Sequence, residues 1–122
     1  MALSNDQLDL LDSTGEVHIK TRSDRGTLET IIWIVVVEGV VYVRSVRGED
    51  GRWYQRALAD PAVAILVDGQ EIDFRAVSVD DPEEIDDVTQ ALRAKYPVGG
   101  SLDRMVREEV LDTTLRLEPG SA

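Results

Sequence analysis

The sequence predicts an α+β fold, a six-stranded antiparallel β-barrel with peripheral helices. Three observations point there. Strand-length apolar runs come in pairs joined by two-residue turns, Glu38-Gly39 and Asp68-Gly69, which is how hairpins are written in sequence. Helical patterns are inserted between and after these hairpins instead of alternating with every strand, which argues against a doubly wound parallel sheet. The strands are also so rich in Val and Ile that an open sheet would expose adhesive edges, and closure removes them.

Taken in order, Ser4 to Leu11 predicts a short helix, capped by Ser4 or Asn5, with Leu3, Leu8 and Leu11 along an apolar edge. Residues 16–22 alternate at period two and predict a strand. Ser23 to Leu28 is polar, contains Gly26, and predicts a loop. Thr30 to Val37 is apolar throughout, so it is expected to be one strand buried on both faces. After the Glu38-Gly39 turn, Val40 to Val46 returns as its hairpin partner. Gly48 to Gly51 is a loop, and Arg52 to Ala59 a two-turn helix ended by Asp60-Pro61, because a proline disfavours helix in the residue before it. Ala62 to Val67 and Glu71 to Val79 form the second hairpin. Asp81-Pro82-Glu83-Glu84 starts a helix running to Lys95: a capping Asp, Pro in the first turn, then acids at the positive dipole end. Gly99-Gly100 breaks the pattern, Ser101 to Leu111 predicts another helix, and Thr113 to Leu117 a last strand. The whole of 1–122 is expected to be one domain, with the N-terminal helix inside 1–14 and a frayed tail at 119–122.

With 122 residues the chain is long enough to bury about two thirds of its unfolded surface. No apolar run approaches the roughly 20 residues of a membrane-spanning helix. The start, Met-Ala-Leu-Ser-Asn-Asp-Gln, lacks the basic and apolar regions of a secretion signal, so the expected location is cytoplasmic. The absence of cysteine excludes disulfides, thiolate catalysis and thiolate-bound metals. His18 is the one histidine, on an alternating strand, where a structural or surface role is expected. The acids from Asp80 to Asp87 lack the spacing and central glycine of an EF-hand loop and are explained by the helix start they sit on. No metal is expected. Ser45 has no G-x-S-x-G context to make it a nucleophile.

The charge is unevenly spread. The net charge is -11, yet seven of the 13 Lys and Arg lie between Lys20 and Arg56 among five acids, a local +2. Nucleic acid and anionic membranes are excluded as partners, because counterion release needs a broad basic face. One small phosphorylated ligand remains compatible. The densest basic stretch is Tyr42 to Tyr54, a strand running through a Gly-punctuated loop into a helix, and such a junction can aim arginine forks and helical amides at one phosphate. A solvated hairpin end is the alternative reading of the same residues. Side chains alternate along a strand, so Arg44, Ser45 and Arg47 can converge only if the strand ends or bulges near Ser45.

The run from Arg25 to Val67 resembles the split β-barrel superfamily of flavin and deazaflavin oxidoreductases, which includes pyridoxamine-phosphate-oxidase-like and deazaflavin-dependent nitroreductase-like proteins. The matching parts are Arg25-Gly26, Thr30 to Val37, Glu38-Gly39, Tyr42 to Arg47, Trp53-Tyr54 and Asp60-Pro61, with Arg93 to Tyr96 and Thr113 to Leu117 resembling an uncharacterised branch, a domain of unknown function. The resemblance implies a six-stranded antiparallel split β-barrel and a homodimer with its cofactor, FMN or the deazaflavin coenzyme, at the subunit interface. It implies cofactor binding by Arg25, Arg44, Ser45, Arg47, Gly48 and Arg52, with Trp53 and Tyr54 at the ring end. Glu29 stands just before the apolar strand, where related deazaflavin enzymes carry a base, which favours FMN. In this superfamily the cofactor carries the hydride chemistry, so no catalytic residue is identified. The alternative is a non-catalytic barrel without a cofactor, binding a phosphorylated small molecule or serving only as a dimeric scaffold.

Overall fold

A computed structural model describes residues 3–120. The N-terminal helix α1 (Asn5–Ser13) starts with a capping box: the Gln7 amide donates to Ser4 Oγ at 3.1 Å and the Ser4 amide to Gln7 Oε1 at 3.0 Å. Strand β1 (Glu16–Ser23) then pairs antiparallel with β2 (Gly26–Trp33), His18 opposite Ile31, around a turn at Asp24-Arg25. The expected loop at 23–28 is therefore mostly strand. Its polarity reflects an edge strand with little buried surface, not a break in pairing.

The expected single strand over 30–37 is divided at Ile34, giving β2 and a short β3 (Val35–Val37). Nor is it buried on both faces, since Ile31 is 59% exposed. The division has a physical cause. The Ile34 amide donates to the Tyr96 hydroxyl at 3.0 Å, and the Ile34 carbonyl accepts from Lys95 Nζ at 2.6 Å, so side chains replace the ladder there. The chain thereby passes from one edge of the sheet to the other.

After Glu38-Gly39, both at positive φ as a two-residue hairpin turn requires, β4 (Val40–Val43) pairs with β3. It ends at Val43, three residues before the expected end. A 3-10 turn (Gly48–Asp50) leads into α2 (Arg52–Ala59), and β5 (Ala62–Val67) and β6 (Gln70–Ser78) form the second hairpin. Helix α3 (Pro82–Lys95) is capped by Asp81, whose Oδ1 accepts from the Glu83 amide. The expected helix over 101–111 is α4 (Gly100–Val106) followed by a 3-10 segment (Glu108–Thr113). The last strand is β7 (Leu115–Pro119), and the Gly120 amide donates to the Asp73 carbonyl at 2.9 Å. Of the expected frayed tail, 121–122 lie outside the described residues.

All pairings are antiparallel, in the order β2-β1-β5-β6-β7-β4-β3. The edge strands β2 and β3 are consecutive in the chain, so the sheet curls into a half-barrel. The barrel class stands, with seven strands instead of six, the extra one arising from the break at Ile34. One core fills the curl, with Ile19, Ile65, Phe74 and Leu117 at its centre. A second lies outside, where α3 and α4 cover β3 and β4 through Val88, Leu92, Leu102 and Met105. No helix among the described residues is long and apolar enough to cross a membrane.

Candidate ligand cleft

A cleft of about 590 Å³ opens beside β2. Its walls are β2 from Leu28 to Trp33, the segment Arg44 to Arg47, the start of α2, and Ser101, Arg104 and Met105 of α4. Both tryptophans of the chain line it. Trp33 lies flat on Tyr96, ring centroids 3.8 Å apart and planes 2° from parallel. Trp53 is packed edge-on to Tyr54 at 6.3 Å.

Five arginines (44, 47, 52, 56 and 104) and two glutamates (16 and 29) line the cleft, a net +3 in a protein of net -11. Glu29 faces His18 Nδ1 at 3.4 Å. A smaller cleft of about 350 Å³ also contains Lys20, Arg22 and Arg75, but Glu71 and Asp73 line it too, with Lys20 paired to Glu71 at 3.0 Å.

Arg44 is buried, 2% exposed, and spends its donors inside the protein. Nε donates to Thr114 Oγ1 at 3.0 Å, Nη1 to Thr89 Oγ1 at 3.1 Å and the Met105 carbonyl at 3.0 Å, and Nη2 to the Ile85 carbonyl at 3.1 Å. All four acceptors are uncharged. Burial pulls its pKa down to about 10, so it remains a cation at neutral pH, bolting α3 and α4 to the barrel and forming part of the cleft wall.

Ser45 is equally buried. Its Oγ donates to the Gly48 carbonyl at 2.8 Å, and its amide donates to Thr113 Oγ1 at 3.1 Å. Because β4 has already ended, the chain from Ser45 to Gly48 turns, closed by the Gly48 amide donating to the Ser45 carbonyl at 3.0 Å. That turn sends Arg47 to the cleft. Gly48, at φ +65°, lies outside the lining, and a Cβ there would come within 3.3 Å of the Glu109 carbonyl. Gly51 is required for a different reason: a Cβ there would collide with Ser45 Oγ.

Of the residues the resemblance brought forward, Arg44, Ser45, Arg47, Arg52 and Trp53 line the cleft. Arg25 sits at the exposed tip of the β1–β2 turn, and buried Tyr54 supports Trp53 from behind. Burial, then the negative charges of Asp112 and Glu49, raise the Tyr54 pKa. Sequence reasoning did not assign Arg56, Ser101, Arg104 and Met105 to the site. Arg56 was within reach of it, since residues four apart share a helix face and Arg52 is four before it; its Nε donates to Thr21 Oγ1 at 2.7 Å. No local signal marks the α4 residues, which reach the cleft only through tertiary packing. Gly51 is the N-cap of α2 and has no side chain to cap it, leaving first-turn amides without an intrahelical acceptor.

The fold is shared with proteins of low sequence identity. A conserved hypothetical protein from Mycobacterium tuberculosis superposes with a TM-score of 0.74 at 19% identity, over 99% of this chain and 83% of that one. A putative pyridoxamine 5'-phosphate oxidase from Listeria innocua gives 0.71 at 12% identity, over 96% and 93%. An FAD-binding protein from Mesorhizobium loti gives 0.70 at 14% identity, over 98% and 90%. No curated protein matches the sequence. These likenesses establish the fold, a split β-barrel. Residues 7–117 match the family described as an uncharacterized protein conserved in bacteria, DUF2255, and the chain belongs to that family.

Proposed function

We propose that this protein binds FMN in the arginine-lined cleft and acts as a flavin-dependent oxidoreductase on a small organic substrate, with a homodimer completing the site. The observation that carries the reading is the convergence of both tryptophans with Arg47, Arg52 and Arg56 in one cleft. Its volume falls within the roughly 300–1,000 Å³ typical of small-ligand sites. Trp33, Trp53 and Met105 offer an apolar floor for a flat ring, while Arg47, Arg52 and the uncapped amides of α2 suit a phosphate. Bound FMN supplies the hydride chemistry; the chain's residues bind it, orient it and exclude water.

Arg44 and Ser45, whose polar groups are already engaged, act from behind: Ser45 holds the turn that presents Arg47, and Arg44 fastens α3 and α4 to the barrel behind the cleft. Glu29 at the cleft wall disfavours the longer anionic tail of a deazaflavin coenzyme. Leu28, Ile31 and Val46 are exposed along the lining, and a second copy seated there would bury them. A visible spectrum of protein incubated with FMN and then desalted tests the binding. Retained flavin absorbance is expected, and a colourless product points to the non-catalytic alternative. Light scattering at micromolar protein should give twice the 13.5 kDa chain mass.

A further inference from the structure

The cleft holds more positive charge than one phosphate balances. A phosphomonoester brings about −1.5 to −2 at neutral pH, against the net +3 of the lining. Arg44 contributes a buried cation whose four acceptors are all neutral, so the protein supplies it no counterion within hydrogen-bond reach. Glu29 is turned to His18. Arg104 is exposed on α4, a different element from the one that carries Arg52 and Arg56, and like Arg47, Arg52 and Arg56 it enters none of the ion pairs among the described residues. Ser101, three residues before it, shares its helix face and also lines the cleft. Met105 beside them is apolar and buried. An apolar surface next to a free guanidinium and a hydroxyl matches a flat molecule carrying a carboxylate.

We propose that Arg104, with Ser101 beside it, binds an anionic group of the substrate, so that the cleft selects small planar carboxylates over their neutral analogues. The proposal rests on the FMN reading for what the carboxylate-bearing molecule is, a substrate; the binding itself rests on the cleft alone.

Because both tryptophans line the cleft, quenching of tryptophan fluorescence reports binding there. The probes are 4-nitrobenzoate and its neutral counterpart 4-nitrobenzamide, titrated into the full chain with and without FMN. The carboxylate is expected to bind at least about tenfold more tightly than the amide, the scale of one charge-assisted contact. Arg104→Ala should reduce that preference to below about threefold while leaving FMN affinity within about twofold of the parent. Arg93→Ala, on exposed α3 surface outside the cleft, should retain it. Equal affinities for the two probes in the parent overturn the proposal, as does a preference that survives Arg104→Ala. If FMN fails to bind but the carboxylate preference is present and lost in Arg104→Ala, the cofactor reading falls and the anion site stands.

Discussion

Trp33 lies against Tyr96 with the two rings 2° from parallel, and the hydroxyl of the same tyrosine accepts the Ile34 amide at 3.0 Å. One side chain thus fixes both the aromatic wall of the cleft and the point where the barrel's edge strand divides. Its hydroxyl also donates to the Gly15 carbonyl at 2.5 Å, tying in the start of β1.

Tyr96→Phe keeps the stack but leaves the Ile34 amide without its partner. A buried unsatisfied donor costs about 1–3 kcal/mol, so urea unfolding should show a loss of that size with the slope of the transition unchanged.

Arg44 and Arg47 are three residues apart and should behave oppositely. Arg44→Met strips the buried acceptors on Thr89, Thr114, Ile85 and Met105 of their donor, and should destabilise the fold by at least about 2 kcal/mol. Arg44→Lys recovers only part, because an ammonium on a single stem does not span acceptors placed for a planar fork. Arg47→Ala, exposed, should change stability by no more than about 0.5 kcal/mol. Thermal unfolding of the three variants checks the contrast.

Gly51→Ala forces Ser45 Oγ from its place and breaks its bond to the Gly48 carbonyl. Overpacking of this kind typically costs about 1–3 kcal/mol, and the turn that presents Arg47 should shift with it. Adding Ser45→Ala removes the colliding atom and should restore part of the stability, measured by the same unfolding experiment.

All three tyrosines titrate above the ordinary value of 10.0. Burial, with the hydrogen bond to Glu84 second, pushes Tyr42 up to about 12, and burial pushes Tyr96 up to about 12. The unfolded chain therefore loses these protons first as pH rises past 10. The stability they contribute is complete below pH 10 and lost as pH climbs through 12. Absorbance near 295 nm should show less tyrosinate in the native protein at pH 10.5 than in denaturant, where ionisation is centred near pH 10.

What was legible in the sequence was local. Helix α2 runs over the expected Arg52 to Ala59, and both two-residue hairpin turns were readable because Gly39 and Gly69 tolerate positive φ. The start of α3 was readable from Asp81 and Pro82. What was not legible depends on distant partners. The strand break at Ile34 is made by Tyr96, 62 residues on. Arg44 was drawn into the site by its neighbours in sequence, yet its acceptors lie between 41 and 70 residues away. Arg104 carries no local mark at all; α4 and the Arg44 guanidinium it helps to hold bring it to the cleft. Arg107, equally unremarkable in sequence, braces the cleft wall by donating to the Val46 carbonyl at 2.8 Å.

Titration of FMN into the parent, Arg47→Ala and Arg93→Ala, followed by quenching of flavin fluorescence, tests the central claim most directly. The parent and Arg93→Ala should bind equally, and Arg47→Ala should bind about ten- to a hundredfold more weakly, the loss of one charge-assisted arginine contact. No quenching by the parent, or equal affinity of Arg47→Ala and the parent, would contradict the assignment of this cleft to a flavin phosphate.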